Sequence, residues 1–210
     1  LSERTGRSYL RHVTRLTQHY GRAPDTLTIA EVEGYLVHLR QVRHLTWESL
    51  ATVVTGLRFF YEVTLGRPRA DFHIPAPKQS SKLPTVLSRI EVEHLLAQSG
   101  HRRDRMLLTT TYAAGLRVSE VVGLQVAHLE SARMVIRIEQ GKGRRDRYAL
   151  LTEHLLAELR AYWRVFRAAP WLFPGQRPDQ PMSVRTASRA YHAAKARAGI
   201  TKRGGIHSLR

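Results

Sequence analysis

The stretch Ala113-Ala114-Gly115-Leu116-Arg117-Val118-Ser119-Glu120 decides how this chain is read. Before it runs an apolar helical segment, Met106 to Tyr112. After it, Val121, Val122 and Leu124 resume a helical pattern. Gly115 stands where the first helix should end, because glycine takes the left-handed cap conformation without a Cβ penalty. Arg117 then lies at a tight corner between two buried helices. Arg117 and Glu120 share a face if the second helix starts here. A guanidinium fixed at such a corner can offer two parallel hydrogen bonds to a phosphate. The other reading is a helix-start arginine paired to Glu120 in solvent, and this stretch alone does not separate the two.

Working outward, the segment before the corner begins near Arg103, and another helix precedes it. Ser88-Arg89-Ile90-Glu91 reads as a capping box, with Val92, Leu95 and Leu96 as the inner face. Beyond the corner the period changes. Met134, Ile136 and Ile138 alternate with Val135, Arg137 and Glu139, which is strand-like. Gln140-Gly141-Lys142-Gly143-Arg144-Arg145 reads as a turn, and Asp146 to Leu151 as a second strand, giving a hairpin with a basic tip. Thr152 is expected to cap a helix with Leu155, Leu156, Leu159, Trp163 and Phe166 inward. A loop from Pro170 to Pro181 carries Trp171-Leu172-Phe173. A last helix, Val184 to Ala198, is expected to bury Val184, Ala187, Tyr191, Ala194 and Ala198.

Toward the start of the chain, three helices are expected at about 5–20, 29–42 and 46–64. Thr28-Ile29-Ala30-Glu31 looks like a capping box for the second. Residues 66–84 hold Pro68, Pro75, Pro77 and Pro84 and read as an extended linker. The organisation expected is therefore a helical domain over 1–65, a linker over 66–84 and a second domain over 85–210. The fold class is mainly α with a small β-hairpin or sheet.

Charge narrows the function. The 210 residues hold 34 Lys+Arg against 17 Asp+Glu, a net of +17. Residues 1–70 carry a net of +4 and residues 71–210 a net of +13. Such a balance implies a polyanionic partner, nucleic acid before membrane. There is no cysteine, which excludes a disulfide framework and thiolate zinc sites and agrees with a reducing cytoplasm. No apolar run is long enough to span a bilayer.

Four elements then stand out together: Arg117 at the glycine corner, Lys142 at the hairpin tip, and His207 with Arg210 at the end of the chain. Two arginines, a lysine and a histidine without a carboxylate cluster suit a phosphate in a transition state. Arginines neutralise the non-bridging oxygens, and a lysine or histidine can protonate a leaving alkoxide. Neither a metal-binding motif nor a phosphate-loop motif is visible, so the chemistry expected is phosphoryl transfer without metal or nucleotide, and it needs a protein nucleophile.

In these residues the chain resembles the tyrosine recombinases, or phage integrase family. Gly115-Leu116-Arg117-Val118-Ser119-Glu120 is similar to the family's first arginine box. Gly141-Lys142-Gly143 between two strands is similar to its lysine hairpin, and His207-Ser208-Leu209-Arg210 to its His-x-x-Arg box. Leu83-Pro84 followed by Leu87-Ser88 resembles the start of the catalytic domain, and the N-terminal helices resemble the core-binding domain. The resemblance implies that Arg117 and Arg210 clamp the scissile phosphate of double-stranded DNA. It implies Lys142 as general acid toward the leaving 5′-oxygen, His207 as its assistant, and Glu120 as an orienting group. A tyrosine would form a 3′-phosphotyrosine link, with no cofactor. It also implies a homo-multimer on DNA at full length, a cytoplasmic, nucleoid-associated location and no membrane role.

One departure matters. The family's nucleophilic tyrosine, and its second His or Trp box, lie beyond His-x-x-Arg. All eight tyrosines here lie upstream. Tyr112 and Tyr191 are expected in the core and Tyr148 in a strand. The chain is therefore expected to be a fragment, with an incomplete catalytic domain, that does not cleave DNA by itself. Arg144, Arg145 and Arg147 are expected as DNA-backbone contacts or solvated charge, and Arg185, Arg189 and His192 as a stripe that either tracks phosphates or faces solvent. The remaining histidines, among them His38, His94, His128 and His154, are assigned no role. A non-catalytic DNA-binding protein is the alternative; an RNA-binding protein is suggested by charge alone.

Overall fold

The computed structural model describes residues 1–67, 85–139, 146–167 and 169–210. Lys142, Arg144, Arg145 and all but the first two residues of the expected linker lie outside the described residues. The chain divides into two compact units, Leu1–Ser81 and Lys82–Arg210, each with its own buried cluster.

The first unit is a three-helix bundle. Helix α1 (Glu3–Tyr20) starts at Ser2, whose hydroxyl accepts from the Thr5 N–H, and ends at Gly21 with φ +63°. Helix α2 (Ile29–Gln41) opens with the complete capping box of Thr28 and Glu31. Helix α3 (Trp47–Phe59) runs on into a wider π-helical turn, Phe60–Thr64. Val13 and Leu16 of α1, Val32, Tyr35, Leu36 and Leu39 of α2, and Leu50, Val53, Leu57 and Tyr61 fill the interior. Tyr61 is fully buried and donates its hydroxyl to the Pro24 carbonyl at 2.6 Å.

Among its described residues, the second unit sets five helices against a small antiparallel sheet. Helix α4 (Arg89–Ala97) has the capping box of Ser88 and Glu91. Helix α5 (Arg102–Ala113) is buried along Met106, Leu107, Leu108, Thr110 and Thr111. The two threonine hydroxyls donate to the Met106 and Leu107 carbonyls, so polar side chains enter the core without loose donors. Tyr112 is 42% exposed, contrary to the expected core position. It follows Thr111 around the helix and so faces away from the buried side. The chain turns at Gly115, with φ +60°, and enters the short helix α6 (Val118–Val122).

Strands β1 (Leu129–Glu130), β2 (Val135–Ile138) and β3 (Arg147–Leu150) form the sheet in the order β1-β2-β3. Ile136 pairs with Ala149 and Ile138 with Arg147. Ile136, Ile138 and Ala149 face the core. Met134 does not begin the strand: it takes φ +52° in the turn before β2, and its carbonyl accepts from the Leu151 N–H. Strand β1 was not anticipated, because two residues are too short to show a period.

Helix α7 (Glu153–Phe166) buries Leu155, Leu159 and Tyr162. The sequence placed Trp163 and Phe166 inward instead. Phe166 is 45% exposed and stacks on Tyr162 at 4.7 Å, so the inward stripe passes through the tyrosine. Leu172 and Phe173 of the following loop are buried. Helix α8 (Val184–Arg197) buries Ala187, Tyr191 and Ala194, whereas Val184, in its first turn, is 43% exposed. The chain closes with a 3-10 turn, Ile206–Leu209, whose two end residues are buried.

Candidate functional site

The corner after α5 is built from the backbone outward. Gly115 supplies the left-handed residue, the Leu116 N–H then returns to the Thr111 carbonyl at 3.1 Å, and Leu116 is buried. That anchor puts Arg117 at the N-cap of α6 in an extended conformation. Glu120 reaches back and accepts from the Arg117 backbone N–H at 2.8 Å. Its other oxygen accepts from Arg117 Nη1, also at 2.8 Å.

This is not the solvent pair that was one of the two sequence readings. The Glu120 side chain is only 5% exposed, against 31% for Arg117. A third member joins from across the sheet: Arg147 Nη2 donates to Glu120 Oε2 at 2.7 Å. Burial pushes the Glu120 carboxyl up. The hydrogen bond from the Arg117 backbone N–H, then the Arg147 and Arg117 guanidiniums, outweigh it and hold the carboxyl below its ordinary range. Glu120 is therefore a carboxylate, and two guanidiniums around it leave a local excess of positive charge. Spacing alone makes Arg147 a DNA contact or solvated charge; folding sets it beside Glu120 instead. The one signal was alternation: Arg147 and Ala149 lie on the same side of β3.

His207 and Arg210 sit on the closing turn. Buried Ile206 and Leu209 hold it against α5 and α8, while His207 and Arg210 are exposed. Ser208 fixes the turn, sharing a 2.6 Å hydrogen bond with the buried Tyr191 hydroxyl and donating to the Gly205 carbonyl at 2.7 Å. Helix α6 rests on the same two helices, α5 and α8. Arg117, His207 and Arg210 thus stand on neighbouring elements of one unit. Arg185, Arg189 and His192 are exposed along α8, the stripe expected from spacing.

In the first unit, folding gathers residues that spacing did not connect. A cavity of about 360 Å³ is lined by His12, Arg15, His19, His38 and Arg43, among others. The His19 and His38 rings lie 4.6 Å apart, although they come from different helices. His12 is held below its usual range, first by burial and then by Arg15 and Arg11. Among the described residues no helix is long and apolar enough to cross a membrane.

The chain is 42% identical over 204 residues to the integrase/recombinase y4qK of Sinorhizobium fredii, covering 97% of this chain and 66% of that protein. It is 32% identical over 231 residues to the tyrosine recombinase XerD of Shewanella oneidensis, covering all of this chain and 75% of the other. Among solved structures, a lambda integrase dimer bound to a COC′ core site matches the whole chain with a TM-score of 0.74 at 15% identity, over 78% of that chain. XerA recombinase matches with a TM-score of 0.55 at 22% identity, over 75% of its chain. These two show a shared fold. The model of the phage integrase N-terminal SAM-like domain matches residues 1–71, and that of the phage integrase family matches residues 85–210. With more than half of its length matched by the latter, the chain belongs to the phage integrase family, the tyrosine recombinases.

Proposed function

We propose that this chain is the DNA-binding and phosphate-holding part of a site-specific DNA recombinase. Double-stranded DNA is the substrate. Arg117 and Arg210 hold a backbone phosphate, and His207 and Lys142 move protons, Lys142 on its sequence position alone. In the reaction a tyrosine oxygen bonds to phosphorus as the P–O5′ bond breaks, and the leaving oxygen takes a proton. The phosphotyrosine keeps the phosphoester available for rejoining, so metal and ATP are not required. The single observation that carries this reading is Arg117: a guanidinium at a fixed corner, tied by one nitrogen to a buried carboxylate within a net positive cluster. Its remaining donors suit a phosphate oxygen.

Residues 1–210 bind duplex DNA but do not cleave it unaided. Tyr35, Tyr61, Tyr162 and Tyr191 are buried, Tyr20 donates to the Glu31 carbonyl at 2.6 Å, and the exposed Tyr148 lies under the Arg133 guanidinium at 4.7 Å, while Tyr112 is exposed on α5. With most of its tyrosines engaged in packing or hydrogen bonds, the chain taken alone has a second reading, a DNA-binding protein without catalysis. In the whole protein we place the working unit as a homo-multimer on DNA, with 1–65 and 85–210 as its two domains and a soluble, nucleoid-bound location.

The test uses a nicked duplex and a structured RNA. Tighter binding to the duplex is expected, and Arg117→Ala should reduce the slope of log affinity against log salt by about one. No covalent adduct should form with residues 1–210. Preference for RNA overturns DNA as the partner, an unchanged slope removes Arg117 from the clamp, and an adduct overturns the inactivity of this chain.

A further inference from the structure

We propose that Arg147 is a positioning residue for the phosphate-holding corner: acting through Glu120, it keeps the Arg117 guanidinium turned toward the substrate. This deepens the reading above and rests on it.

The strand register makes the first part of the case. Arg147 pairs with Ile138 on β2, and Ile138 is a core residue. Along β3, Arg147 and Ala149 are the more buried residues, while Tyr148 and Leu150 are exposed. Side chains alternate across a strand, so Arg147 lies on the face that meets the core. A merely solvated arginine would sit on the other face. Among the described residues, Arg147 Nε is buried and meets no hydrogen-bond partner, so the contact to Glu120 is what its head group gains by lying there.

The second part is the sharing of oxygens. Glu120 Oε2 accepts from both the Arg117 backbone N–H and Arg147 Nη2, while Oε1 accepts from Arg117 Nη1. A buried carboxylate takes the orientation its donors impose. With Arg147 on Oε2, Arg117 is held by a single nitrogen and keeps its other donors. Without Arg147, Oε2 is available to a second Arg117 nitrogen. A two-point pair with Glu120 would then draw the guanidinium toward its own carboxylate and neutralise it. Arg147 both blocks that pairing and supplies the charge that leaves the cluster net positive.

The experiment has two arms on the 210-residue chain. In the first, the Glu120 side-chain carboxyl is titrated by carbon-13 NMR in the wild type and in Arg147→Gln. The proposal expects a higher titration point in the variant, and an unchanged one overturns it. In the second, duplex binding is followed against salt for the wild type, Arg147→Gln, Glu120→Gln and the double variant. Arg147→Gln should weaken binding about five- to tenfold and lower the salt slope by about one, the loss of a single phosphate contact. In the Glu120→Gln background the same change should lower the slope no further, because no carboxylate remains to draw Arg117 into a neutralising pair. A further drop of about one shows Arg147 touching DNA itself and overturns the positioning role. Arg147→Lys, which keeps the charge and can reach one oxygen, should restore part of the affinity; loss equal to that of Arg147→Gln counts against the proposal. Glu120→Gln leaves no orphaned anion, so the double variant is expected to fold, and its thermal melt checks that. If the wild type binds no duplex, the recombinase reading fails, while the carboxyl titration still decides whether Arg147 governs Glu120.

Discussion

At Glu120 burial and hydrogen bonding oppose each other, and bonding wins. The carboxyl lies below its unfolded value near 4.5 because a backbone N–H and two guanidiniums favour its charged form more than burial penalises it. A depressed folded-state value contributes stability that is fully present above the unfolded value and is lost as pH falls through the folded one. Wild-type protein should therefore lose melting temperature more steeply than Glu120→Gln as pH is lowered from about 6 to 3. Parallel losses in the two proteins would mean that other carboxylates dominate. Much of the corner was legible at this scale: Gly115 announced a helix end, and the three-residue spacing of Arg117 and Glu120 announced a shared face. Arg147 was not legible. Its partner lies 27 positions earlier, and only the strand register brings the two together.

Helices showed their ends more plainly than their inner faces. Ser88 with Glu91 and Thr28 with Glu31 form the capping boxes that their spacing suggests, because a cap is decided within four residues. Inner faces depend on what packs against them. On α7 both Tyr162 and Trp163 fit an inward stripe, and the neighbour Phe173 settles it in favour of Tyr162, 5.7 Å away. Gly115 offers a test of an element boundary. A Cβ there would meet no atom within 4 Å, so the cost of Gly115→Ala comes from the backbone alone, at φ +60°. That cost should be about 1 kcal/mol, read as a lower urea midpoint with unchanged slope. Gly115→Asn should cost less, since asparagine tolerates the left-handed region better. Equal losses would point to side-chain crowding instead.

Over the whole molecule, charge is the property the sequence reports most faithfully. The excess lies mainly after residue 70, and the structure exposes Arg185 and Arg189 one helical turn apart on α8. If this stripe follows a DNA backbone, replacing both by glutamine should lower the salt slope of duplex binding by about two. A slope unchanged within error marks a solvated face. The cavity of the first unit, with His19 and His38 in ring contact, was invisible to any local pattern because it is made by two helices meeting. The hydrogen bond between Tyr191 and Ser208 has a consequence for how this protein can change over generations. A buried tyrosine is commonly free to drift to phenylalanine, since the ring fills the same space. Here the hydroxyl ties a core helix to the turn that presents His207 and Arg210. Drift at position 191 would leave the fold heritable while loosening that turn, so purifying pressure should fall on a hydroxyl that is itself buried.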